Sequence, residues 1–216
     1  MPGTGLICPE CRVRLPYIPE PVCMKCGKPV DDEEQEYCSD CIRLPKHYKK
    51  GYPLFLYMAP VKEGLTAMKY HNRREYAQFY ADEMLSKYRL QWEAVGFDAV
   101  IPVPVHPRKL RKRGYNQAEL LARLIAEGLQ IRMIKDVLVR VIDTLPQKDL
   151  NDIERTNNLK KAFQSRENGV KLNKVLVVDD IYTSGATIEA CTTVLLQAGV
   201  REVSYTSVCI GRGMTQ

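Results

Sequence analysis

Two adjacent carboxylates, Asp179 and Asp180, stand between a strongly apolar run and a loop of small, hydroxyl-bearing residues. The run, residues 175–178, reads Val-Leu-Val-Val, which is typical of a strand buried on both faces of a parallel sheet. Ligands bind at the carboxyl ends of such strands. The loop, residues 183–187, precedes a helical pattern, so its N–H groups and the positive helix N-terminus can bind an anion. The segment predicts a site for a ligand with a phosphate and a diol. The alternative is an ordinary buried strand that ends in a polar turn.

A second group of chemically active residues is the basic segment 108–113, which holds five Lys or Arg side chains. It follows a strand pattern and precedes Asn116, a good helix N-cap. Arginine forks match phosphate oxygens bidentately, so a basic loop at this place suits a pyrophosphate. The alternatives are a solvated basic turn and a nucleic-acid-binding patch.

Six of the eight cysteines lie in the first 41 residues as three Cys-x-x-Cys pairs, with eleven residues between one pair and the next. Paired knuckles at this spacing predict a zinc ribbon. A short segment with little apolar content cannot build a core, so the metal would supply its folding free energy. A disulfide framework is less expected in a cytosolic protein, and redox-active or free thiols are a further alternative.

One tetrahedral site uses four thiolates and two sites would use eight, so six cysteines leave the assignment open. We expect one structural zinc ion bound by four residues: Cys23, Cys26, Cys38 and Cys41. The competing assignment uses the first two pairs instead: Cys8, Cys11, Cys23 and Cys26. In the first case Cys8 and Cys11 are left over unless a partner chain completes a site. Cys191 and Cys209 lie in apolar patterns, and we expect them to be buried structural residues.

Elsewhere, strand and helix patterns alternate, which favours a parallel, doubly wound α/β sheet. Strands are expected at about 53–58, 97–102, 137–142, 175–178 and 203–210. Helices are expected after Pro60 and at about 75–90, 116–128 and 186–198. The polar segment 143–168 has the character of a lid.

Composition limits the class of protein. The hydrophobic fraction is 45% and the charged fraction 27%, typical of a soluble globular protein. No apolar run approaches a membrane span, and the first residues do not resemble a secretory signal. We therefore expect a cytoplasmic protein without membrane insertion. The net charge is +6, while residues 1–45 hold five basic and eight acidic residues, so the remainder is strongly basic and suits anionic ligands.

The order of residues in 175–187 resembles the phosphoribosyl-diphosphate (PRPP) motif of type I phosphoribosyltransferases. The whole chain resembles the ComF family, in which a zinc-ribbon head precedes a phosphoribosyltransferase-like domain. The resemblance is carried by the cysteine pairs, the PRPP motif, residues 102–108, 113–117 and 144–147, Arg155 with Asn158, and Ala162-Phe163. The family typically has one more cysteine pair before Cys8, so either one ribbon is complete here or the sequence begins too late.

The resemblance implies an α/β, type I phosphoribosyltransferase-like fold with a mostly parallel central sheet in residues 46–216, and a zinc-ribbon module in residues 1–45. It implies that Asp179 and Asp180 bind the ribose hydroxyls and, through water, Mg²⁺. Arg155 would close over the site with a flexible loop. The residues implied to bind phosphate and pyrophosphate are Thr183, Ser184, Gly185, Ala186, Thr187, Arg108, Lys109 and Arg113.

Three hypotheses about function follow. The first is a phosphoribosyltransferase that binds PRPP with Mg²⁺ and transfers the phosphoribosyl group to an unknown acceptor. The second, implied by the resemblance to competence proteins, is a DNA-uptake protein that binds single-stranded DNA or a helicase partner without turnover. The third is a degenerate fold kept for assembly, which the intact acidic pair disfavours.

Overall fold

A computed structural model describes residues 7–141, 162–166 and 171–211 of the chain. Its central sheet is parallel throughout, in the order β1-β7-β6-β2-β3. The strands of this sheet are β1 (Gly51–Leu56), β2 (Ala99–Pro102), β3 (Arg132–Met133), β6 (Lys174–Tyr182) and β7 (Glu202–Ile210). The strand that carries the two adjacent carboxylates, β6, therefore lies in the middle of the sheet, and the predicted parallel α/β architecture is confirmed.

Helices cover both faces of the sheet, so the core has two layers. Among the described residues the helices are α1 (Pro9–Val13), α2 (Ser39–Arg43), α3 (Val61–Tyr70), α4 (Tyr76–Val95), α5 (Pro107–Arg113), α6 (Gln117–Leu129) and α7 (Ala186–Gln197). Helices α3, α4 and α6 pack on one face, where Trp92 and Met84 are fully buried. Helix α7 packs on the other face.

The predicted helices are present, with two differences in extent. Helix α4 continues to Val95, beyond the expected end near residue 90, because Trp92 extends its buried stripe and Gly96 supplies the left-handed C-cap. Pro60 is the N-cap of α3 and does not lie in its first turn. Helix α6 begins as expected, since the Asn116 side chain accepts a hydrogen bond from the N–H of Ala118.

The basic segment 108–113 is a helix, so the prediction of a basic loop is wrong. His106 caps α5 by accepting a hydrogen bond from the N–H of Arg108, and Pro107 occupies the first turn. Gly114 ends the helix in the left-handed conformation. Because Pro favours the first turn and Gly the position after the last, these two residues were signals for the helix.

The strand expected near 137–142 lies outside the central sheet. Residues Leu138–Arg140 form β4, which pairs antiparallel with β5 (Phe163–Ser165) in a separate ribbon. Strand β5 lies within the polar segment 143–168, which was predicted to be a lid. The rest of that segment lies outside the described residues, apart from the two that flank the strand, Ala162 and Arg166.

The cysteine-rich head packs closely against the outer strand β1. The N–H of Ile18 donates to the carbonyl of Leu54, and the N–H of Leu56 donates to the carbonyl of Pro16. The segment that follows the head contains Tyr48, which is fully buried. Within the described ranges, no helix combines the length and the apolar character needed to cross a bilayer.

Candidate functional site

The two adjacent carboxylates lie near the carboxyl end of β6, as the sequence predicts for a ligand site. Their environments differ. The N–H of Asp180 donates to Asp179 Oδ1 at 2.8 Å, while Asp180 Oδ2 lies 2.6 Å from Lys69 Nζ. Both members of this ion pair are largely shielded from water, with side-chain exposures of 18% for Lys69 and 13% for Asp180. The acidic pair is therefore partly neutralised by a cation from helix α3.

The charges of this cluster shift the affinity of its groups for protons. Burial raises the pKa of Asp179 to about 8, and the negative charge of Asp180 adds to that shift. Burial opposes the charge on Lys69, but the charge and hydrogen bond of Asp180 outweigh it and raise the pKa of Lys69. Near neutral pH, Asp179 can therefore be converted between its acid and carboxylate forms.

The loop after β6 leads directly into α7. Gly185 is the N-cap of α7 and adopts φ 77°, a left-handed conformation that favours glycine. A Cβ at this position would lie 2.2 Å from the hydroxyl oxygen of Tyr182, so the loop passes closely over that side chain. The Ser184 hydroxyl accepts a hydrogen bond from the N–H of Ala186 at 3.5 Å. The compact loop places the N-terminus of a twelve-residue helix beside the acidic pair.

One cavity of about 180 Å³ joins these elements. Its lining includes both carboxylates of β6, cations from three other elements, and polar side chains of α6 and α7: Asp179, Asp180, Lys69, Lys109, Arg113, Arg140, Asn116, Gln117 and Thr187. Five of the residues that the sequence singled out therefore meet in one place. A diol and an anionic group can be bound here together, because acceptors and cations line the same small space.

Helix α5 supplies the cations unequally. Lys109 and Arg113 face the cavity, and Arg113 Nη1 donates to Gln117 Oε1 at 3.0 Å. Arg108 lies on the exposed side of the helix. Of the three cations expected to bind a pyrophosphate, Arg108, Lys109 and Arg113, only the last two line the cavity.

A second cavity, of about 370 Å³, opens beside the first and shares three of its cations. It is lined by Lys69, Lys109, Arg113, Lys112, Asn72, Tyr70 and Tyr115. Tyr115 itself is buried, its hydroxyl donates to the carbonyl of Met68, and the guanidinium of Arg74 lies over its ring. Tyr70 is 66% exposed.

Four other residues bear on the site or on the sequence predictions: Tyr182, Arg155, Cys191 and Cys209. Tyr182 is buried and packs inward. Arg155, expected to close over the site, lies outside the described residues, so its role stays a prediction. Cys191 and Cys209 are both buried, as expected.

Four cysteines form a cluster in the head. The sulfur atoms of Cys23, Cys26, Cys38 and Cys41 all lie within 4.8 Å of one another, and all four residues are buried. The sulfur atoms of Cys26 and Cys38 are 3.6 Å apart. A tetrahedral zinc ion with Zn–S bonds of about 2.3 Å separates its sulfur ligands by roughly 3.8 Å, so the cluster has the size and chemistry of a structural zinc site.

The first cysteine pair lies apart from this cluster. Cys8 and Cys11 are exposed, and the N–H of Cys11 donates to the sulfur of Cys8 at 3.4 Å. This hydrogen bond lowers the pKa of Cys8. Of the two sets considered from the sequence, the described structure brings together the one formed by the second and third pairs.

Magnesium is implied by the resemblance, and the donor chemistry fits. Carboxylate oxygens are the side-chain ligands that Mg²⁺ takes most readily. The oxygens of Asp179 and Asp180 meet at the cavity, and a divalent cation there would compensate the same negative charge that Lys69 now balances.

Sequence reasoning missed Lys69 entirely. Its helix carries an apolar stripe of Val61, Leu65 and Met68, all of which are buried. Lys69 is the residue next to Met68, and nothing in its local pattern separates it from a solvated lysine. Only the packing of α3 beside the end of β6 gives it a partner.

Comparisons with known proteins extend over most of the chain. Residues 1–42 match the family model of the double zinc ribbon domain. The chain is 29% identical to competence protein F of Haemophilus influenzae over 209 residues, which cover 91% of this chain and 87% of that protein. It is 26% identical to the DNA utilization protein YhgH of Escherichia coli K12, with coverage of 94% and 89%, and 25% identical to competence protein ComFC of Bacillus subtilis, with coverage of 89% and 79%.

Among solved structures, the adenine phosphoribosyltransferase of Saccharomyces cerevisiae aligns with 61% of this chain and 68% of its own, at 16% identity and a TM-score of 0.40. The similarity in sequence spans both the head and the main sheet. The similarity in sequence to the competence proteins confirms the predicted resemblance to the ComF family.

Proposed function

We propose that this chain binds PRPP in the 180 Å³ cavity beside β6. The observation that supports the proposal is the meeting of the acidic pair, the start of α7 and the cations of α5 around one space. PRPP carries a ribose diol, a 5′-phosphate and a diphosphate. In the proposed complex Asp179 and Asp180 accept hydrogen bonds from the diol, and loop 183–187 binds the 5′-phosphate. Lys109 and Arg113 bind the diphosphate.

Magnesium would be held by Asp179 and Asp180 through water. When bound, it would neutralise part of the charge on the diphosphate. Lys69 would then exchange its contact with Asp180 for one with the ligand, because it lines the same cavity. The protein's own contribution is to keep the two carboxylates adjacent and largely shielded from water.

We further propose that the phosphoribosyl group is transferred to an acceptor of unknown identity. The bond between ribose C1 and a diphosphate oxygen would break, a bond from C1 to the acceptor would form, and pyrophosphate would leave. Positive charge develops on the sugar as the first bond breaks, so the nearby carboxylates stabilise it while Lys109 and Arg113 stabilise the leaving group. Arg155 would contribute by closing over the site.

Calorimetry with PRPP and Mg²⁺ tests the binding proposal. The wild-type protein should bind saturably, and the double variant Asp179→Asn/Asp180→Asn should lose binding. Glu93→Gln removes an exposed acid of α4 that pairs with Arg89, and serves as the matched control that keeps binding. Equal affinity in the wild-type protein and the double variant would contradict the proposal. Release of pyrophosphate during a screen of bases as acceptors tests turnover.

A second candidate function is binding of single-stranded DNA or of a helicase partner in DNA uptake. It is favoured by the exposed face of α5, which carries Arg108, Arg111 and Lys112. Of these, Lys112 lines the second cavity together with the exposed Tyr70. The relatives named as competence and DNA utilization proteins agree with this candidate.

Salt titration separates this surface from the PRPP site. If two phosphate contacts are lost, Arg111→Ala/Lys112→Ala should weaken single-strand binding and reduce the slope of log K against log salt by about 1.4. The double variant Asp179→Asn/Asp180→Asn should leave that slope unchanged. DNA affinity unaffected by the α5 changes would exclude this face as the binding surface.

A further inference from the structure

Three buried tyrosines connect the four-cysteine cluster with the loop that precedes α7. The rings of Tyr182 and Tyr205 are stacked, with centroids 4.7 Å apart and an interplanar angle of 10°. Tyr48 packs edge-on against Tyr205 at 5.0 Å, and its hydroxyl lies 2.8 Å from the hydroxyl of Tyr182. All three side chains are at most 3% exposed. The tyrosine cluster is therefore a closely packed unit with no room to rearrange independently.

At one end, the tyrosine cluster holds the backbone of the zinc-ribbon knuckle. The hydroxyl of Tyr205 donates to the carbonyl of Cys26 at 2.8 Å. Cys26 is itself fully buried, with its sulfur 3.6 Å from that of Cys38. The neighbouring residue, Lys25, places Nζ 5.6 Å from the centre of the Tyr48 ring and accepts a hydrogen bond on its carbonyl from the N–H of Gly51. A change in the position of this knuckle must therefore move Tyr205, Tyr48 or both.

At the other end, the tyrosine cluster supports the loop proposed to bind phosphate. Tyr182 is the last residue of β6, two positions after Asp180. Its hydroxyl lies so close beneath Gly185 that a Cβ there would be 2.2 Å away. Gly185 is the N-cap of α7, so the position of the Tyr182 ring beneath it determines where the first N–H groups of that helix lie. Interiors packed in this way transmit small displacements, because no gap absorbs them.

We infer that Tyr182 is a positioning residue for the phosphate loop, and that Tyr205 couples this loop to the metal state of the four cysteines. A bound zinc ion would fix the carbonyl of Cys26, which holds Tyr205 and, through the stack, Tyr182 beneath Gly185. Loss of the metal would release the knuckle and loosen the loop. This inference rests on the proposed function, because it assigns phosphate binding to residues 183–187.

The coupling must act in both directions. If zinc raises the affinity for PRPP, then PRPP raises the affinity for zinc by the same factor. Zinc release can therefore report on the phosphate loop without any measurement of catalysis. Couplings of this kind commonly amount to five-fold or more, which is within the range of a chelator assay.

The experiment measures zinc release from the full chain to a coloured chelator, with and without saturating PRPP and Mg²⁺. In the wild-type protein, PRPP should slow release by about five-fold. In Tyr205→Phe, which keeps the ring but loses the hydrogen bond to Cys26, the protection should fall below about two-fold, because the contact that transmits the coupling is lost. Calorimetry should also show weaker PRPP binding by Tyr205→Phe, with zinc content unchanged at the start.

Tyr88→Phe is the matched control. Tyr88 is also a buried tyrosine whose hydroxyl donates to a backbone carbonyl, that of Pro53, but it lies in the core layer on the opposite face of the sheet. It should retain the full protection. If both variants lose protection equally, the effect is general destabilisation and the inference is wrong.

The outcomes distinguish this inference from the proposal on which it rests. If wild-type protein does not bind PRPP at all, the proposed function fails and the coupling fails with it. If wild-type protein binds PRPP but releases zinc at an unchanged rate, only the coupling is overturned. That comparison needs no variant, so it remains decisive even if Tyr205→Phe does not fold.

Discussion

The ammonium group of Lys69 lies 2.6 Å from a carboxylate oxygen of Asp180, although the two residues are 111 positions apart in the sequence. Helix α3 and the end of strand β6 are thus joined at the point where a ligand would bind. Breaking a shielded ion pair by removing one partner is costly, because the other charge is left without compensation. Lys69 therefore stabilises the acidic pair before any ligand arrives.

Replacement of Lys69 tests this role. Lys69→Met should lower the free energy of unfolding by about 2 kcal/mol, less than for a fully buried pair because both side chains keep some exposure. Urea unfolding at pH 8 measures the loss. Lys62→Met, an exposed lysine of the same helix, should change stability by less than about 0.5 kcal/mol. Equal losses in the two variants would show that the ion pair contributes nothing specific.

The raised pKa of Asp179 predicts pH-dependent stability. Its folded-state pKa of about 8 lies above the ordinary carboxyl value, so between these two values the folded protein binds more protons than the unfolded chain. Stability contributed by this group is therefore present at low pH and lost as pH rises from about 4 to about 8. Asp179→Asn should remove this part of the dependence, as measured by urea unfolding at several pH values.

The same group predicts pH-dependent binding. If binding of PRPP and Mg²⁺ requires the carboxylate form of Asp179, then binding below pH 8 must displace a proton from this side chain. The affinity for PRPP with Mg²⁺ should therefore rise up to about ten-fold per pH unit between pH 6 and 8 and level off above. Calorimetry at pH 7 in buffers of different ionisation enthalpy should detect release of up to one proton. An affinity that is flat across this range would contradict the assignment.

Substitution of Gly185 tests the closeness of the phosphate loop to Tyr182. Gly185→Ala adds a Cβ that would clash with the tyrosine hydroxyl and also strains a left-handed residue, so PRPP binding should be lost. Gly96→Ala is the control, because Gly96 has a similar φ of 68° but nothing within 4 Å of an added Cβ. It should cost only about 1–2 kcal/mol of backbone strain and leave binding intact. Calorimetry and thermal unfolding measure both effects.

Metal analysis tests the cysteine assignment. The wild-type protein should contain roughly one zinc per chain, as expected for a single Cys₄ site. Cys26→Ser should lose the metal and destabilise the head, because structural zinc contributes folding free energy directly. Cys8→Ser, at an exposed thiol outside the cluster, should retain it. Cys26 belongs to both candidate sets, so the variants that separate them are Cys8→Ser and Cys41→Ser: loss of zinc from Cys8→Ser, with zinc retained in Cys41→Ser, would support the competing assignment.

The sequence predicted the parts of the fold that depend on local patterns. The Val-Leu-Val-Val run identified β6 as a buried central strand, and Asn116 correctly marked the start of α6. The helix α5 was missed because five Lys or Arg residues surround the single apolar residue of segment 108–113, Leu110. Pro107 in the first turn and Gly114 after the last turn carried the signal.

The site could be predicted only in part, for a physical reason. Asp179, Asp180 and Thr187 lie within one short segment, so a local motif is enough to group them. Lys69 lies on α3, and Tyr48 and Tyr205 lie in segments far from β6 in the sequence. Only the order of strands in the sheet brings these residues beside β6. No periodicity along the chain records that order.

The head also protects the outermost strand of the sheet. Residues 16–18 run along β1, with hydrogen bonds to Leu54 and Leu56 and a bridge between Tyr17 and Phe55. If the head were deleted to isolate the main domain, these backbone groups would be left without partners on an apolar strand. Such a strand readily recruits a strand from another molecule. A truncated protein should therefore aggregate, and the head and the main domain are best purified and assayed as one piece.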